Sequence, residues 1–265
     1  MSEGPTAGPD RLAGVSAPHP TPDPRRPDEV RAALGPALVV AIDGPSGSGK
    51  SSVSRAVATR LGTGYLDTGA MYRALAWWCR ERGIDLADAD AVAEAARGLP
   101  LVMGLNPSAP QLLLNGRDIG QEVRRSEIST VVSAVATNLQ VRRELIARQR
   151  RYVEEASRGS GVVAEGRDIT TVVAPDAPVR VLLSASEEAR LRRRSLQLHG
   201  EAGATSIEQT RDEVVRRDRD DATVAQFQTA ADGVSLLDTS DLTFDESVDA
   251  VLALVRGATH PARHE

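Results

Sequence analysis

The chain has 265 residues, 41% of them apolar and 26% charged, with a net charge of −5. This is enough chain to bury a substantial core as one large domain or two small ones, and it is too acidic for a protein that binds nucleic acid over its whole surface. Two Trp, three Tyr and two Phe argue against a base-stacking platform, and one cysteine, Cys79, excludes an intramolecular disulfide. Cys79 is expected to be a small buried residue in a protein of the reducing cytoplasm. No run approaches the ~20 apolar residues of a membrane span, and the N-terminus lacks the charged-then-apolar pattern of a signal peptide.

Residues 1 to about 36 are rich in proline, Gly, Ser and Asp. The run Pro18-His19-Pro20-Thr21-Pro22-Asp23-Pro24 supports neither a helix nor a central strand. This segment reads as a disordered tail, with a Pro-rich ligand for a partner domain as the alternative. Residues 37–42 form a continuous apolar run, as in a strand buried on both faces. Gly44-Pro45-Ser46-Gly47-Ser48-Gly49-Lys50-Ser51 follows at once and fits the phosphate-binding pattern G-x-x-x-x-G-K-[ST]. Residues 51–61 then read as a helix with Val53, Val57 and Leu61 on one face. A strand, a glycine loop and a helix N-terminus in that order aim backbone N–H groups at an anion.

Lys50 is the single lysine in the chain; every other Lys-or-Arg position is arginine. A compact ammonium on a flexible stem fits inside a loop wrapped around a triphosphate, whereas a planar guanidinium does not. Ser51 is the expected Mg²⁺ ligand, and Ser52 completes the loop's contact with the donor nucleotide.

Beyond the loop the chain reads as alternating strands and helices, hence a parallel sheet with right-handed crossovers and ligands at the strands' carboxyl ends. A short strand is expected at 64–66. Thr68 is read as the N-cap of a helix over 71–80 that projects Arg73 from its first turns. Trp77 and Trp78 on that helix are read as packing residues, with base stacking as the alternative. Between about 98 and 126, two turn-punctuated apolar runs with Asn106-Pro107 and Asn115-Gly116 predict a small antiparallel insertion. Ser133 and Arg142 flank the join of two helical patterns, the second over 139–155. Strands are expected at 161–165, ending in Gly166-Arg167-Asp168, at 179–184 and at 234–238, and a last helix at 244–255. Arg190-Leu191-Arg192-Arg193-Arg194 admits three readings: a solvated helix face balanced by Glu187 and Glu188, a nucleic-acid patch, or phosphate neutralisation beside the loop.

Four segments in order, the Gly44–Ser51 loop, Leu66-Asp67-Thr68-Gly69-Ala70-Met71-Tyr72-Arg73, Glu165-Gly166-Arg167-Asp168 and Ala185-Ser186-Glu187-Glu188-Ala189-Arg190, resemble the bacterial-type cytidylate kinases. The resemblance runs from about residue 37 to 255. It implies a P-loop three-layer α/β fold with a central parallel sheet, a helical lid at about 190–221 and a monophosphate-binding region at about 67–158. That region carries the small β insertion, and the core comprises about 37–66 and 159–265 of a single kinase domain, 37–265. It also implies ATP-dependent phosphorylation of CMP, and of dCMP, with Mg²⁺, by a cytoplasmic monomer that engages neither nucleic acid nor membrane. A kinase for another phosphorylated acceptor such as UMP is the alternative.

By the same resemblance, Lys50, Arg167, Arg190 and Arg194 act in transfer. Arg73 and Arg167, with Thr68 nearby, hold the acceptor's phosphate. Ser133, Arg142 and Asp168 meet the cytosine, Arg217 and Asp221 lie near the sugar, and Arg193 joins Arg190 and Arg194 on the lid. The chain departs from the family pattern at Val224, where an arginine is usual, and at Ala222, where serine is usual. Gln226-Phe227-Gln228 also stands where a Pro-Leu pair is common. Arg192, Arg216 and Arg219 are candidates to supply the missing contact. A GTPase-like switch is excluded, because its N-K-x-D segment needs a second lysine.

Overall fold

The computed structural model describes residues 38–200 and 202–259; the Pro-rich tail and the C-terminal end of the chain lie outside the described residues. In chain order come β1 (Val39–Asp43), α1 (Lys50–Leu61), β2 (Gly64–Asp67), α2 (Thr68–Glu81) and α3 (Ala89–Arg97). Then follow β3 (Leu101–Gly104), β4 (Gln111–Leu114), β5 (Arg117–Asp118), α4 (Ser126–Ala136), α5 (Leu139–Ser157) and β6 (Val162–Gly166). The chain closes with β7 (Val179–Ser184), α6 (Glu187–His199), α7 (Ala204–Asp221), β8 (Ser235–Asp238) and α8 (Phe244–Thr259).

Five strands form a parallel sheet in the order β2-β6-β1-β7-β8. All five residues of β1 are buried because the sheet is covered on both faces. Alternation along the strand divides them between two cores. Val39 and Ala41, with Leu66, Val162 and Ala164, pack under α2, α4 and α5. Leu38, Val40 and Ile42, with Val163, Val181 and Leu183, pack under α1 and α8. Val53, Val57 and Leu61 are all buried in that second core, as the helical spacing predicts. The result is three layers: helices, sheet, helices. The insertion is a three-stranded antiparallel sheet, β3-β4-β5, preceded by α3 and followed by a 3₁₀ turn at Glu122–Arg124.

Three local findings bear on the site. The N-cap of α2 is Asp67, whose carboxylate accepts from the Ala70 N–H at 2.8 Å, and not Thr68. Thr68 is the first helical residue, and its hydroxyl donates to the Glu165 carbonyl at 2.8 Å, so a long-range bond to β6 wins over local capping. Trp77 and Trp78 are half-buried against the α2 core, and Arg82 lies over the Trp78 ring at 4.0 Å. Cys79 is fully buried, which raises its thiol to about 11 and keeps it inert.

The end of β1 is tied to the segment after β6. Asp43 accepts hydrogen bonds from Ile169 N–H (2.9 Å), Thr170 N–H (2.8 Å) and the Thr170 hydroxyl (2.7 Å). Burial nevertheless pushes this carboxyl up to about 6, the hydrogen bonds opposing it. Because the folded value lies above the unfolded one, the folded state binds the extra proton. The charge therefore costs stability above pH ~6, and that cost is relieved as pH falls toward the unfolded value. Between pH 5 and 7.5 the stability gap should move by about 1–2 kcal/mol in favour of Asp43→Asn over wild type, measured by urea melts at each pH. A gap independent of pH would return Asp43 to an ordinary carboxylate.

Candidate active site

The cleft lies at the carboxyl ends of β1, β2 and β6, where α1 begins. The loop turns on glycines that no other residue replaces without strain: Gly47 at φ +77° and Gly49 at φ +88°. A Cβ on Gly44 would stand 2.3 Å from the Leu183 carbonyl oxygen of β7, so the turn out of β1 needs glycine for close approach. Gly49 caps α1 without a side-chain hydrogen bond, and the first turn of that helix holds no acidic residue. Its N-terminal amides therefore keep their attraction for an anion. Ser48 N–H and the Lys50 ammonium both reach the Pro45 carbonyl, at 3.3 and 3.4 Å. Burial, and then Arg167, pull Lys50 down to about 8, with Glu165 opposing. A phosphate in the loop supplies the opposite charge that holds the proton on.

Ser51 donates to Glu165 Oε1 at 2.7 Å, and the Tyr65 hydroxyl reaches the same oxygen at 3.3 Å. Burial and then Asp67 raise the Glu165 carboxyl. A buried carboxylate beside a hydroxyl, facing a phosphate loop, is the hard-oxygen donor set that suits Mg²⁺ shared with phosphates and water. Glu165 carried no role in the sequence reading, although it opens the Gly166-Arg167-Asp168 segment.

Arginines line the remainder of the cleft. Arg73 bonds both oxygens of Asp67 at 3.2 and 3.0 Å. Burial pushes the Asp67 carboxyl up, but Arg73, the Ala70 N–H and Arg124 outweigh it and leave the carboxyl below its ordinary value. Arg167 has its whole fork engaged: Nε donates to Asp221 at 3.0 Å, Nη2 to Asp218 at 3.1 Å, and Nη1 to the Gly44 carbonyl. Arg217 sits 3.7 Å from Asp221, and burial followed by Arg167 lowers it to about 10. Arg194 lines the cleft and reaches Ser129 at 3.4 Å.

Next to this cleft is a smaller pocket lined by Thr68, Tyr72, Arg142, Asp168, Arg217 and Asp221. Arg142 donates to Asp168 within it. Burial raises the Asp168 carboxyl, and Arg142 opposes the rise. Ser133 does not line this pocket; Val132 and Ala136 from the same helix do. A second opening, toward the outside of the loop, is lined by Gly47 to Val53, Arg193, Arg194 and Phe244.

The lid arginines divide by orientation. Arg190 donates to the Ser46 carbonyl (2.9 Å) and Asp218 (2.5 Å) and turns away from the open cleft. Arg193 donates to the Ser48 carbonyl at 3.3 Å and to Thr239. Arg192 is exposed and paired with Glu188, so the solvated-face reading holds for this residue alone. The expected replacements for the arginine missing at Val224 are corrected: Arg192, Arg216 and Arg219 are all exposed and none lines the cleft. They occupy the outer faces of α6 and α7, opposite the buried Asp218 and Asp221. Arg124, from the 3₁₀ turn after the antiparallel sheet, does line it. No motif in its vicinity marks Arg124, and only the packing of that turn beside α2 brings it in.

The profile of the cytidylate kinase family matches residues 40–257. Cytidylate kinases of Rhodococcus opacus, Streptomyces avermitilis and Rhodococcus jostii are 48%, 43% and 46% identical to this chain. These matches cover 82%, 83% and 84% of it, and 94%, 93% and 96% of the relatives. The chain belongs to the cytidylate kinase family. As a cytidylate kinase family member it is an ATP-dependent phosphotransferase, and the α/β fold with its parallel sheet and antiparallel insertion agrees with that membership. The UMP alternative draws no support from these relatives. Among the described residues no helix is long and apolar enough to cross a membrane.

Gly47 is where the loop meets α6, since an added Cβ would stand 2.5 Å from the Arg190 carbonyl oxygen in a left-handed backbone. Gly47→Ala should raise the KM for ATP by about tenfold or more, the equivalent of 1–2 kcal/mol of strain in one residue. Steady-state titration of ATP at saturating acceptor checks this.

Proposed function

We propose that the chain transfers the γ-phosphoryl group of ATP to CMP and dCMP, giving ADP with CDP or dCDP, as a cytoplasmic monomer using Mg²⁺. The observation that carries this reading is one cleft with two anion sites: a lysine-bearing glycine loop facing Arg73, Arg167, Arg194 and Arg217. A phosphate acceptor brings its own negative charge, and arginines opposite the loop are what such an acceptor requires.

An oxygen of the acceptor phosphate attacks the γ-phosphorus, and the bond from that phosphorus to the bridging β,γ-oxygen breaks. ADP leaves with the electron pair. The acceptor oxygen is ionised near neutral pH, so no general base is needed. The protein's work is positioning and charge stabilisation. Lys50 and the loop from Gly44 through Ser52 hold the donor phosphates; Arg73, Arg167 and Thr68 hold the acceptor phosphate; Arg194 covers the transferred group. Ser51 and Glu165 would hold Mg²⁺, which would neutralise phosphate charge. Helices α6 and α7 act as the lid that excludes water.

The small pocket suits cytosine. Cytosine presents an N4 amino donor, and a carboxylate such as Asp168 accepts from it. Arg142, with Ser133 nearby, donates to the ring's acceptors, while uracil would set its O4 against the Asp168 carboxylate. Arg217 and Asp221 lie at the same wall and meet the sugar.

The test is ADP formation with Mg-ATP and, separately, CMP, dCMP, UMP, AMP and GMP. Strong turnover with CMP and dCMP, weak with UMP and none with purines is expected; ATP hydrolysis indifferent to the acceptor would refute the reading. Lys50→Met should lower kcat by about 10²–10³-fold or more with an unchanged circular dichroism spectrum. Asp168→Ala should cut kcat/KM for CMP by about 10–100-fold, the value of a buried hydrogen bond to a charge, while the KM for ATP stays within about twofold. Equal loss for every acceptor would remove Asp168 from base selection.

A further inference from the structure

Asp218 belongs to none of the phosphate, base or sugar contacts above, yet this buried carboxylate bonds partners on three separate segments. Its Oδ1 accepts from the Ser46 N–H at 2.9 Å and from Arg167 Nη2 at 3.1 Å, and its Oδ2 accepts from Arg190 Nη1 at 2.5 Å. Arg190 Nη1 also donates to the Ser46 carbonyl at 2.9 Å. Ser46 is thus held by α6 and α7 at both its backbone N–H and its C=O. One side chain on α7 joins the glycine loop, the end of β6 and α6.

Arg167 is fixed from all sides by this arrangement. Asp218 and Asp221, one helical turn apart on the buried face of α7, take two edges of its fork, and the Gly44 carbonyl takes the third. The Phe227 ring covers its face, with the guanidinium carbon 4.6 Å from the ring centre. Phe227 is fully buried and stands in the stretch where the family commonly has Pro-Leu.

We propose that Asp218 is a positioning residue for phosphoryl transfer: closing the lid brings its carboxylate onto the loop, and it there sets Arg167 against the phosphates while Arg190 holds α6 to the loop. This rests on the reading of the cleft as a phosphoryl-transfer site. A carboxylate buried behind a cleft for two anions repels them, so Asp218 contributes nothing favourable to ground-state phosphate binding. Its effect falls on the transition state, where the arginines must be in register. Removing it should therefore lower kcat without raising KM.

The experiment compares wild type, Asp218→Asn, Arg190→Ala and the double variant, each in full-length form with Mg-ATP and CMP. Asp218→Asn is isosteric and keeps an acceptor for the Ser46 N–H. We expect kcat to fall about 10–100-fold, with KM for both nucleotides unchanged or lower and the thermal midpoint within a few degrees of wild type. The double variant should lose little beyond the larger single loss, because both act through one contact. A raised KM with normal kcat, or losses that multiply, overturns the proposal. Should Asp218→Asn lose its cooperative melt, Asp218→Glu keeps the charge but displaces it by a methylene, and the same kcat-specific loss is required. Wild type without CMP-dependent turnover would instead refute the underlying reading of the cleft. Active wild type with an Asp218 variant of normal kcat refutes this inference alone.

Discussion

Positive charge is crowded into one cleft here, and buried carboxylates are what make the crowding tolerable before any phosphate arrives. Lys50, Arg73, Arg124, Arg167, Arg194 and Arg217 line the same space. Left alone, like charges at such spacing repel strongly in a half-buried setting. Asp67 answers Arg73, Asp168 answers Arg142, and Asp218 and Asp221 answer Arg167, each within hydrogen-bond reach. Burial, and after it the nearby Arg167, lowers both Lys50 and Arg217.

This lattice links fold to function. The carboxylates sit on elements whose apolar faces are already fixed: Asp67 at the end of β2, Asp168 just past β6, Asp218 and Asp221 on the inner face of α7. Packing of the two cores therefore sets where the guanidinium groups point. The cost of assembling them is met during folding, so little reorganisation remains for the reaction itself. Asp43 belongs to the same scheme one layer down. It fastens the strand that carries the loop to the segment that carries Arg167 and Asp168.

Val224 is half-buried just beyond α7, and its neighbour Ala225 lines the small pocket, so this wall is apolar where the family usually places a cation. Three positions further on, the Phe227 ring covers the face of Arg167.

Much of this was legible along the chain. Continuous apolar runs located β1 and β7, and helical periodicity located α1 and α8, because side-chain direction follows backbone geometry residue by residue. The loop from Gly44 to Ser51 was legible for a related reason: it needs positive φ, close backbone approach and one compact cation, all written in adjacent residues. Family resemblance added names for Arg73, Arg167, Arg142 and Asp168. The N-cap at Asp67 in place of Thr68, the place of Arg124 and the convergence on Asp218 were not legible. Asp218 meets Ser46 across 172 positions and Arg167 across 51, and Ser51 meets Glu165 across 114. No local period or turn rule bears on such pairings. Sequence alone determined which segments become strand, loop and helix, since those choices rest on neighbours. Only the tertiary structure decided which carboxylate holds which arginine, since that depends on how two buried cores bring distant strand ends together.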